Sequence, residues 1–269
     1  MDHEDNDKIE TNKSKGIYLL PNLFTSAALF SGFYAIVAAS QHHFKSAAVA
    51  IFVAMIMDAL DGRVARMTGT QSSFGAEYDS LSDMVSFGVT PALVIYFWAL
   101  QPLKQVGWLI AFLFVACVAL RLARFNTSPS SNDKRYFYGL PCPAAAAAIA
   151  SYVWLGQLYH FAGLANSIVV ALVGIYLSAM MVSSIRFRSF KDYDFKSSVP
   201  FTAIVLIIVF IICIAINPAH VLFVAFALYA LSGPLGGVTA KYYQKLKSVR
   251  DNRKKSKTTI KQKLNSDDK

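Results

Sequence analysis

Four aspartates are the residues of this sequence whose type and spacing could do chemistry. Asp58 and Asp61 are three residues apart, and Asp79 and Asp83 are four residues apart. If each segment is helical, each pair projects from one face of its own helix, because residues three or four apart are neighbours on a helix surface. Two such faces in contact would bring four carboxylates together.

These aspartates lie in a chain whose composition is otherwise typical of a membrane protein. Its 269 residues are 55% hydrophobic, and the apolar runs are long enough to cross a bilayer. Ionised groups are costly there unless they are paired or functional. Arg63 and Arg66 could neutralise two of the four carboxylates, and one or two divalent cations would balance the other two. Carboxylate oxygens suit hard ions such as Mg²⁺ or Mn²⁺.

The residues between the aspartates indicate that a phosphate-bearing molecule shares such a metal site, as is typical of Mg²⁺. Gly62 and Ala65 carry almost no side chain, so a bulky ligand could approach the helix backbone closely. Arg66 offers a bidentate guanidinium for a phosphate. Gly75 falls in a predicted cytoplasmic turn, where its backbone freedom would let a nucleotide approach. The alternative, a structural polar network with small residues for close packing, does not require this whole set.

One block of the sequence also carries a family signature. It reads Asp58-x2-Asp61-Gly62-x2-Ala65-Arg66-x8-Gly75-x3-Asp79-x3-Asp83. The pattern matches, without a gap or substitution, the signature of the CDP-alcohol phosphotransferase family, which the chain therefore resembles. Enzymes of that family are integral membrane proteins that displace CMP from a CDP-alcohol with the hydroxyl of a second alcohol.

The resemblance implies roles for the aspartates and for their neighbours. Asp58, Asp61 and Asp79 are expected to bind two metal ions, and Asp83 to complete the metal site and act as the general base. Contacts to the CDP moiety are implied for Gly62, Arg66 and Ser72, with Gly75 near the cytidine.

Two polar residues outside the block extend the predicted nucleotide side. Asn22 and Thr25 lie at the cytoplasmic end of the first apolar run, where they could bond a nucleotide base or simply cap the helix. The predicted CDP-lipid-binding residues are therefore Asn22, Thr25, Gly62, Arg66, Ser72 and Gly75.

The acceptor alcohol has to be inferred from other polar residues. Ser86 continues the polar stripe of the second aspartate pair, Arg121 and Arg124 end the fourth apolar run, and Lys191 follows the sixth. An isolated interfacial arginine usually marks topology, but the pair would bind an anionic ligand well. These residues resemble the branch of the family that uses serine, so CDP-diacylglycerol and serine are the expected substrates and Ser86, Arg121, Arg124 and Lys191 the expected acceptor-binding residues.

Other acceptors remain open at this point. Glycerol 3-phosphate and inositol phosphate are also anionic and would equally suit arginine, whereas the basic residues disfavour choline. A cation transporter is the main non-enzyme alternative, because it too places aspartates in membrane helices, but it does not explain Gly62, Ala65 and Arg66 at their offsets.

The elements that must position these residues are eight apolar runs, which predict an all-α polytopic membrane helix bundle. They lie at about residues 17–40, 46–67, 78–100, 106–125, 143–159, 164–183, 199–216 and 220–239. With eight crossings, Lys45 and Lys104 fall on one side and the other 24 of the 26 Lys and Arg residues on the opposite side. The positive-inside rule then puts both termini and the active site in the cytoplasm, and a bacterial inner membrane is the expected location.

Two polar tails flank this bundle, so the predicted organisation is residues 1–16, a membrane domain at 17–240 and a basic cytoplasmic tail at 241–269. The tail holds 11 basic and three acidic residues, against a net charge of +10 for the chain. It lacks apolar residues for a core and would be attracted to an anionic leaflet. No nucleic-acid partner is expected, since no recognisable nucleic-acid-binding motif accompanies the positive charge of the tail.

The three cysteines, Cys117, Cys142 and Cys213, have no paired spacing, which argues against a disulfide framework or a zinc site. A homodimer is expected from the family resemblance and from the faces of small residues.

Overall fold

The computed structural model describes residues 4–127, 136–188 and 201–234. Within these ranges the chain forms eight helices, and each predicted apolar run coincides with one of them, the last as far as residue 234. We number them α1 Glu4–Ser40, α2 Phe44–Thr68, α3 Ser73–Leu103, α4 Gln105–Thr127, α5 Cys142–Leu158, α6 Gly163–Val182, α7 Phe201–Ile216 and α8 Pro218–Pro234.

The helices are those of an integral membrane protein. In the described ranges, four segments are long and apolar enough to cross a bilayer, namely Pro21–Ser40 of α1, α3, α4 and α6. The α2 helix is 25 residues long but carries the charged residues of the aspartate block in its second half. The remaining helices, α5, α7 and α8, are apolar but shorter. The helical membrane bundle is thus confirmed, while the number of eight crossings stays a prediction.

A short antiparallel ribbon, which was not predicted, joins two connections between helices. Its strands are β1 Tyr136–Tyr138 and β2 Arg186–Arg188, and Phe137 pairs with Phe187. Beyond the ribbon, the Gly139 amide donates to the Ile185 carbonyl at 2.9 Å. Gly139 has a φ of 78°, and a Cβ there would clash with the Met181 carbonyl oxygen. Glycine is therefore required where the chain enters α5 beside the end of α6.

Small residues let α1 and α2 pack closely. Ala35 and Ala39 of α1, and Ala47, Ala48 and Ala54 of α2, are completely buried. Close approach of backbones through small side chains is the usual way in which membrane helices associate. The two helices therefore form a fixed pair, and α2 carries the first aspartates at its far end.

The α3 helix is irregular just beyond its aspartates. It is α-helical at Ser73–Asp83 and π-helical at Met84–Val89, and Pro91 follows, which has no N–H for the helical ladder. A second π-helical stretch and a 3₁₀ turn lead to its end. Single π turns inside helices are frequent at functional sites because they redirect the side chains that follow.

Three hydroxyls of α3, one on each successive turn, donate to carbonyl oxygens of α1. Their donor–acceptor distances are 3.1 to 3.2 Å, and the pairs are Ser82 with Thr25, Ser86 with Ala28, and Thr90 with Gly32. All three hydroxyl-bearing residues are buried. Interhelical bonds of this kind hold membrane helices in register, so α1 and α3 have one defined axial position relative to each other.

Replacing Gly32 with alanine is expected to destabilise the protein by about 1–2 kcal/mol, because overpacking outweighs the gain in helix propensity. A Cβ at Gly32 would lie 2.7 Å from Oγ and 2.9 Å from Cα of Ser86, so the backbone of α3 would have to move. Thermal unfolding in detergent measures the effect.

Gly174→Ala is the matched control. A Cβ at Gly174 meets only the side-chain methyls of Ile110 at 3.3 Å and Ile95 at 3.8 Å, and these can shift. We expect it to unfold at or slightly above the wild-type temperature. An unchanged unfolding temperature for Gly32→Ala would contradict the close approach of α1 and α3.

Candidate functional site

Three of the four aspartates form a compact cluster where α2 meets α3. Asp58, Asp61 and Asp79 each offer one carboxylate oxygen, and these three atoms lie within 4.8 Å of one another. The α2 helix supplies Asp58 and Asp61 from one face, and α3 supplies Asp79. The fourth, Asp83, lies one turn further along α3, with its carboxyl group beside that of Asp58. The two faces expected from spacing therefore do meet.

The cluster is sheltered, and its charges are not balanced within it. Asp61 is 5% exposed, and Oδ1 of Asp79 is buried with no hydrogen-bond partner among the described residues. The groups next to Asp79 are the carboxyls of Asp58 and Asp61, which cannot donate when they are ionised. Arg66 acts electrostatically on Asp61. A buried acceptor without a donor among the described residues is a group that a bound cation would satisfy.

A divalent cation fits this donor set. All the converging atoms are carboxylate oxygens, which Mg²⁺ and Mn²⁺ prefer, and among the described residues neither a histidine nor a cysteine belongs to the cluster. The orphaned Oδ1 of Asp79 would gain a partner, and the repulsion between neighbouring carboxylates would be relieved. Asp58, Asp61 and Asp79 are the residues that would hold the ion, and Asp83 adjoins them.

The first helix contributes directly to the cluster. Thr25 of α1 donates its hydroxyl to Oδ2 of Asp61 at 2.6 Å, and its carbonyl accepts from Ser82 of α3. Thr25 is buried, with 3% of its surface exposed. Its hydroxyl is thus engaged with an aspartate, whereas a nucleotide contact or a helix cap had been predicted for it.

The other predicted CDP-lipid-binding residues gather around the start of α3. Ser72 caps this helix by accepting from the Gly75 amide at 3.0 Å. A Cβ at Gly75 would lie 3.6 Å from Oδ1 of Asn22, so α1 also reaches this point. A Cβ at Gly62 would meet only the Arg66 guanidinium, at 4.0 Å. The surface of α2 beside Arg66 is therefore open enough for a ligand to approach the backbone.

Two aromatic residues of this region, Tyr78 and Phe74, were not predicted from the sequence. The Tyr78 hydroxyl is 2.8 Å from Oγ of Ser26 on α1, and its ring stacks on Phe74 at a centroid distance of 6.0 Å. Phe74 is 68% exposed. These residues could not be predicted because an aromatic ring next to an aspartate does not by itself indicate a functional site. The contact of Tyr78 with Ser26 joins residues 52 positions apart, which the local sequence does not reveal.

Arg121, which is predicted to bind the acceptor, lies beside Cys142. Its Nη1 is 3.5 Å from Sγ of Cys142, and its Nε is buried without a hydrogen-bond partner among the described residues. Asp83 is within electrostatic range of the same thiol. Arg121 and Asp83, the predicted base, thus both lie near Cys142, and one buried donor of Arg121 has no acceptor among the described residues. Cys142 was not predicted as a neighbour of this site.

The other predicted acceptor-binding residues are placed differently. The Ser86 side chain is completely buried and donates to α1, a position that supports a packing role and gives the acceptor role no support. Arg124 is exposed, and its Nη1 donates to the Val182 carbonyl at 3.5 Å. Lys191 lies outside the described residues.

The sequence also matches a known protein family. The sequence model of one family, described as CDP-alcohol phosphatidyltransferase, matches residues 18–182. A CDP-diacylglycerol–serine O-phosphatidyltransferase of Helicobacter pylori is 38% identical over 218 residues, covering 81% of this chain and 90% of the relative.

Other organisms supply further relatives. A protein of the same name from Mycobacterium tuberculosis is 43% identical over 138 residues, covering 49% of this chain and 48% of the relative. An archaetidylserine synthase of Methanothermobacter thermautotrophicus is 35% identical over 170 residues, covering 62% and 69%.

Proposed function

This chain belongs to the CDP-alcohol phosphatidyltransferase family, and we propose that it transfers the phosphatidyl group of CDP-diacylglycerol to the hydroxyl of L-serine, giving phosphatidylserine and CMP. The observation that carries the proposal is the cluster of three carboxylates from α2 and α3 with Asp83 beside it. The transferase class rests on the family and on relatives that cover most of the chain.

The reaction joins the serine hydroxyl oxygen to the phosphorus that bears the diacylglycerol. The bond from that phosphorus to the oxygen shared with CMP breaks, and CMP leaves with the electron pair. Asp83 takes the proton of the attacking hydroxyl. This carboxylate is suited to the role because it lies next to the reacting centre. A positioned general base typically increases the rate by about 10²–10⁴-fold.

Asp58, Asp61 and Asp79 would hold Mg²⁺ or Mn²⁺, two ions by family resemblance, with Asp83 completing the site. When bound, these ions would neutralise the pyrophosphate and make its phosphorus more electrophilic. The burial of Asp61 and the orphaned Oδ1 of Asp79 support this assignment, because both are hard to explain in a cluster that binds nothing.

The CDP-lipid would lie against the open surface of α2. Gly62 leaves the backbone accessible beside Arg66, whose guanidinium suits a phosphate oxygen pair. Gly75 and Ser72, with Asn22 close by, would line the nucleotide end. The diacylglycerol chains would stay in the bilayer, so only the head of the lipid enters the site.

Arg121 would bind the serine carboxylate. Its position beside Cys142, a thiol that Asp83 also influences electrostatically, would bring an anionic acceptor toward the base. The unpartnered Nε supports a ligand here, since a buried guanidinium donor normally has an acceptor. Arg124 and Lys191 remain predicted contributors at the cytoplasmic edge of this site.

The relatives favour serine over the other acceptors, since they include CDP-diacylglycerol–serine O-phosphatidyltransferases and an archaetidylserine synthase. Glycerol 3-phosphate and inositol phosphate stay as alternative acceptors because Arg121 would suit them also. Choline has no carboxylate or phosphate for Arg121 to bind. The cation-transporter hypothesis receives no support from these comparisons.

The proposed arrangement in the membrane follows from charge. Eight crossings in residues 17–240 would put residues 1–16, the aspartate cluster and the basic tail at 241–269 on the cytoplasmic side, in a bacterial inner membrane. The tail would touch anionic lipid. A homodimer is proposed from the family resemblance and from the faces of small residues.

Purified protein with CDP-diacylglycerol and Mn²⁺ or Mg²⁺ is expected to release CMP when serine is supplied. Parallel reactions with glycerol 3-phosphate, inositol phosphate and choline are expected to release none above the background without acceptor. CMP release with another acceptor instead of serine would retain the family chemistry and overturn the acceptor. CMP release in the presence of excess EDTA would overturn the metal site.

A further inference from the structure

Thr25 connects the two halves of the aspartate cluster. Its hydroxyl donates to Oδ2 of Asp61 on α2 at 2.6 Å, and its carbonyl accepts from Oγ of Ser82 on α3 at 3.2 Å. Ser82 is the immediate neighbour of Asp83. One residue of α1 is therefore bonded to both of the helices that supply the carboxylates, although it supplies none itself.

The burial of these groups makes the two bonds persistent. Thr25, Asp61 and Ser82 are 3%, 5% and 2% exposed, so water does not compete freely for the donors. The distance to Asp61 is in the range of a hydroxyl bonded to an ionised carboxylate. The Thr25 hydroxyl also lies 3.2 Å from the Pro21 carbonyl, but its single proton is directed best to the nearer and charged acceptor.

We propose that Thr25 is a positioning residue for the metal site, which orients Asp61 through its hydroxyl and ties α2 to the aspartate-bearing turn of α3 through its carbonyl. With Oδ2 of Asp61 held by Thr25, the other oxygen is left for the ion. Outer-shell donors that orient a ligand in this way typically change metal affinity or activity by about 10–100-fold when they are removed. The inference rests on the proposed metal site and assigns Thr25 a role apart from nucleotide binding.

Direct Mn²⁺ binding tests this assignment without relying on catalysis. Purified full-length wild-type protein and Thr25→Val are titrated with Mn²⁺ alone, and free Mn²⁺ is followed by electron paramagnetic resonance. Valine keeps the shape of threonine and its backbone carbonyl but lacks the hydroxyl, so we expect Mn²⁺ to bind at least about tenfold more weakly. Thr25→Ser keeps the donor and is expected to bind close to the wild-type affinity.

Thr90→Val is the matched control, because Thr90 is equally buried and donates to the Gly32 carbonyl of α1, away from the aspartates. It also loses one buried interhelical hydrogen bond from a threonine hydroxyl, here to a backbone carbonyl, and is expected to keep wild-type Mn²⁺ affinity. If Thr25→Val does not fold in detergent, Ser82→Ala tests the other bond and is expected to weaken Mn²⁺ binding as well.

Three results would overturn the inference. Wild-type affinity in Thr25→Val, or in Ser82→Ala where that variant is used, would show that the bond does not orient the site. An equal loss in Thr90→Val would assign the effect to packing in general. A wild-type protein that binds no Mn²⁺ would overturn the proposed metal site itself, and the inference with it.

Discussion

Asp83→Asn is expected to lower the rate of CMP formation by about 10²–10⁴-fold, the usual contribution of a general base. Asparagine keeps the size of the side chain but cannot accept the proton of the acceptor hydroxyl. Asp83 stands outside the group of three carboxylates whose oxygens converge. Because Asp83 is expected only to complete the metal site, we expect this variant to lose less Mn²⁺ affinity than one that lacks a converging carboxylate, so the loss falls on kcat more than on metal affinity.

Asp79→Asn is the matched control for that result. Asp79 belongs to the converging group, and its replacement is expected to weaken Mn²⁺ binding strongly and to lower activity with it. Mn²⁺ titration and CMP release, measured on both variants, separate the two roles. If Asp83→Asn loses Mn²⁺ binding as completely as Asp79→Asn, Asp83 acts chiefly as a metal ligand, and its assignment as the base fails.

Arg121→Ala is expected to raise the KM for serine by at least about tenfold, since a hydrogen bond to a charged group contributes about 1.5–3 kcal/mol. The KM for CDP-diacylglycerol should change little, because the predicted CDP-lipid-binding residues lie on α1, α2 and α3, whereas Arg121 lies on α4. Initial rates of CMP release, with each substrate varied in turn, measure both constants.

Arg124→Ala provides the comparison within the same helix. Arg124 is exposed and bonds to the Val182 carbonyl, so we expect a smaller rise in the KM for serine than for Arg121→Ala. Equal increases in the KM for both substrates in Arg121→Ala would indicate a general disturbance of the bundle. A larger effect at Arg124 than at Arg121 would reverse the assignment of the acceptor-binding arginine.

The helices of this protein could be predicted well from the sequence because membrane helices are long local features. A run of apolar residues must satisfy its own backbone hydrogen bonds in lipid, which leaves helix as the stable form. All eight runs are helical in the residues that the structure describes; α2 starts two residues before its run, whereas α1 starts at Glu4, well before its run at residue 17. The ribbon at Tyr136–Tyr138 and Arg186–Arg188 was missed because its three-residue strands pair across about 50 positions and are too short to show a period of two.

The carboxylate cluster was predictable for a related reason. Spacings of three and four residues place side chains on one helix face whatever surrounds the helix, so Asp58 with Asp61 and Asp79 with Asp83 were paired before any contact was known. That α2 and α3 face each other follows from the short connection between them, Gly69 to Ser72. The signature block then identified the family.

The sequence by itself determined the helices, the acidic pairs and the family of this protein, because each depends on residues close together in the chain. Only the tertiary structure decided that Thr25 bonds Asp61, 36 positions away, and that Arg121 meets Cys142. It also placed the Ser86 hydroxyl in the interface with α1, away from the acceptor role predicted for it. These contacts depend on the rotation and register of packed helices, which small residues and interhelical hydrogen bonds set together and which no single helix encodes.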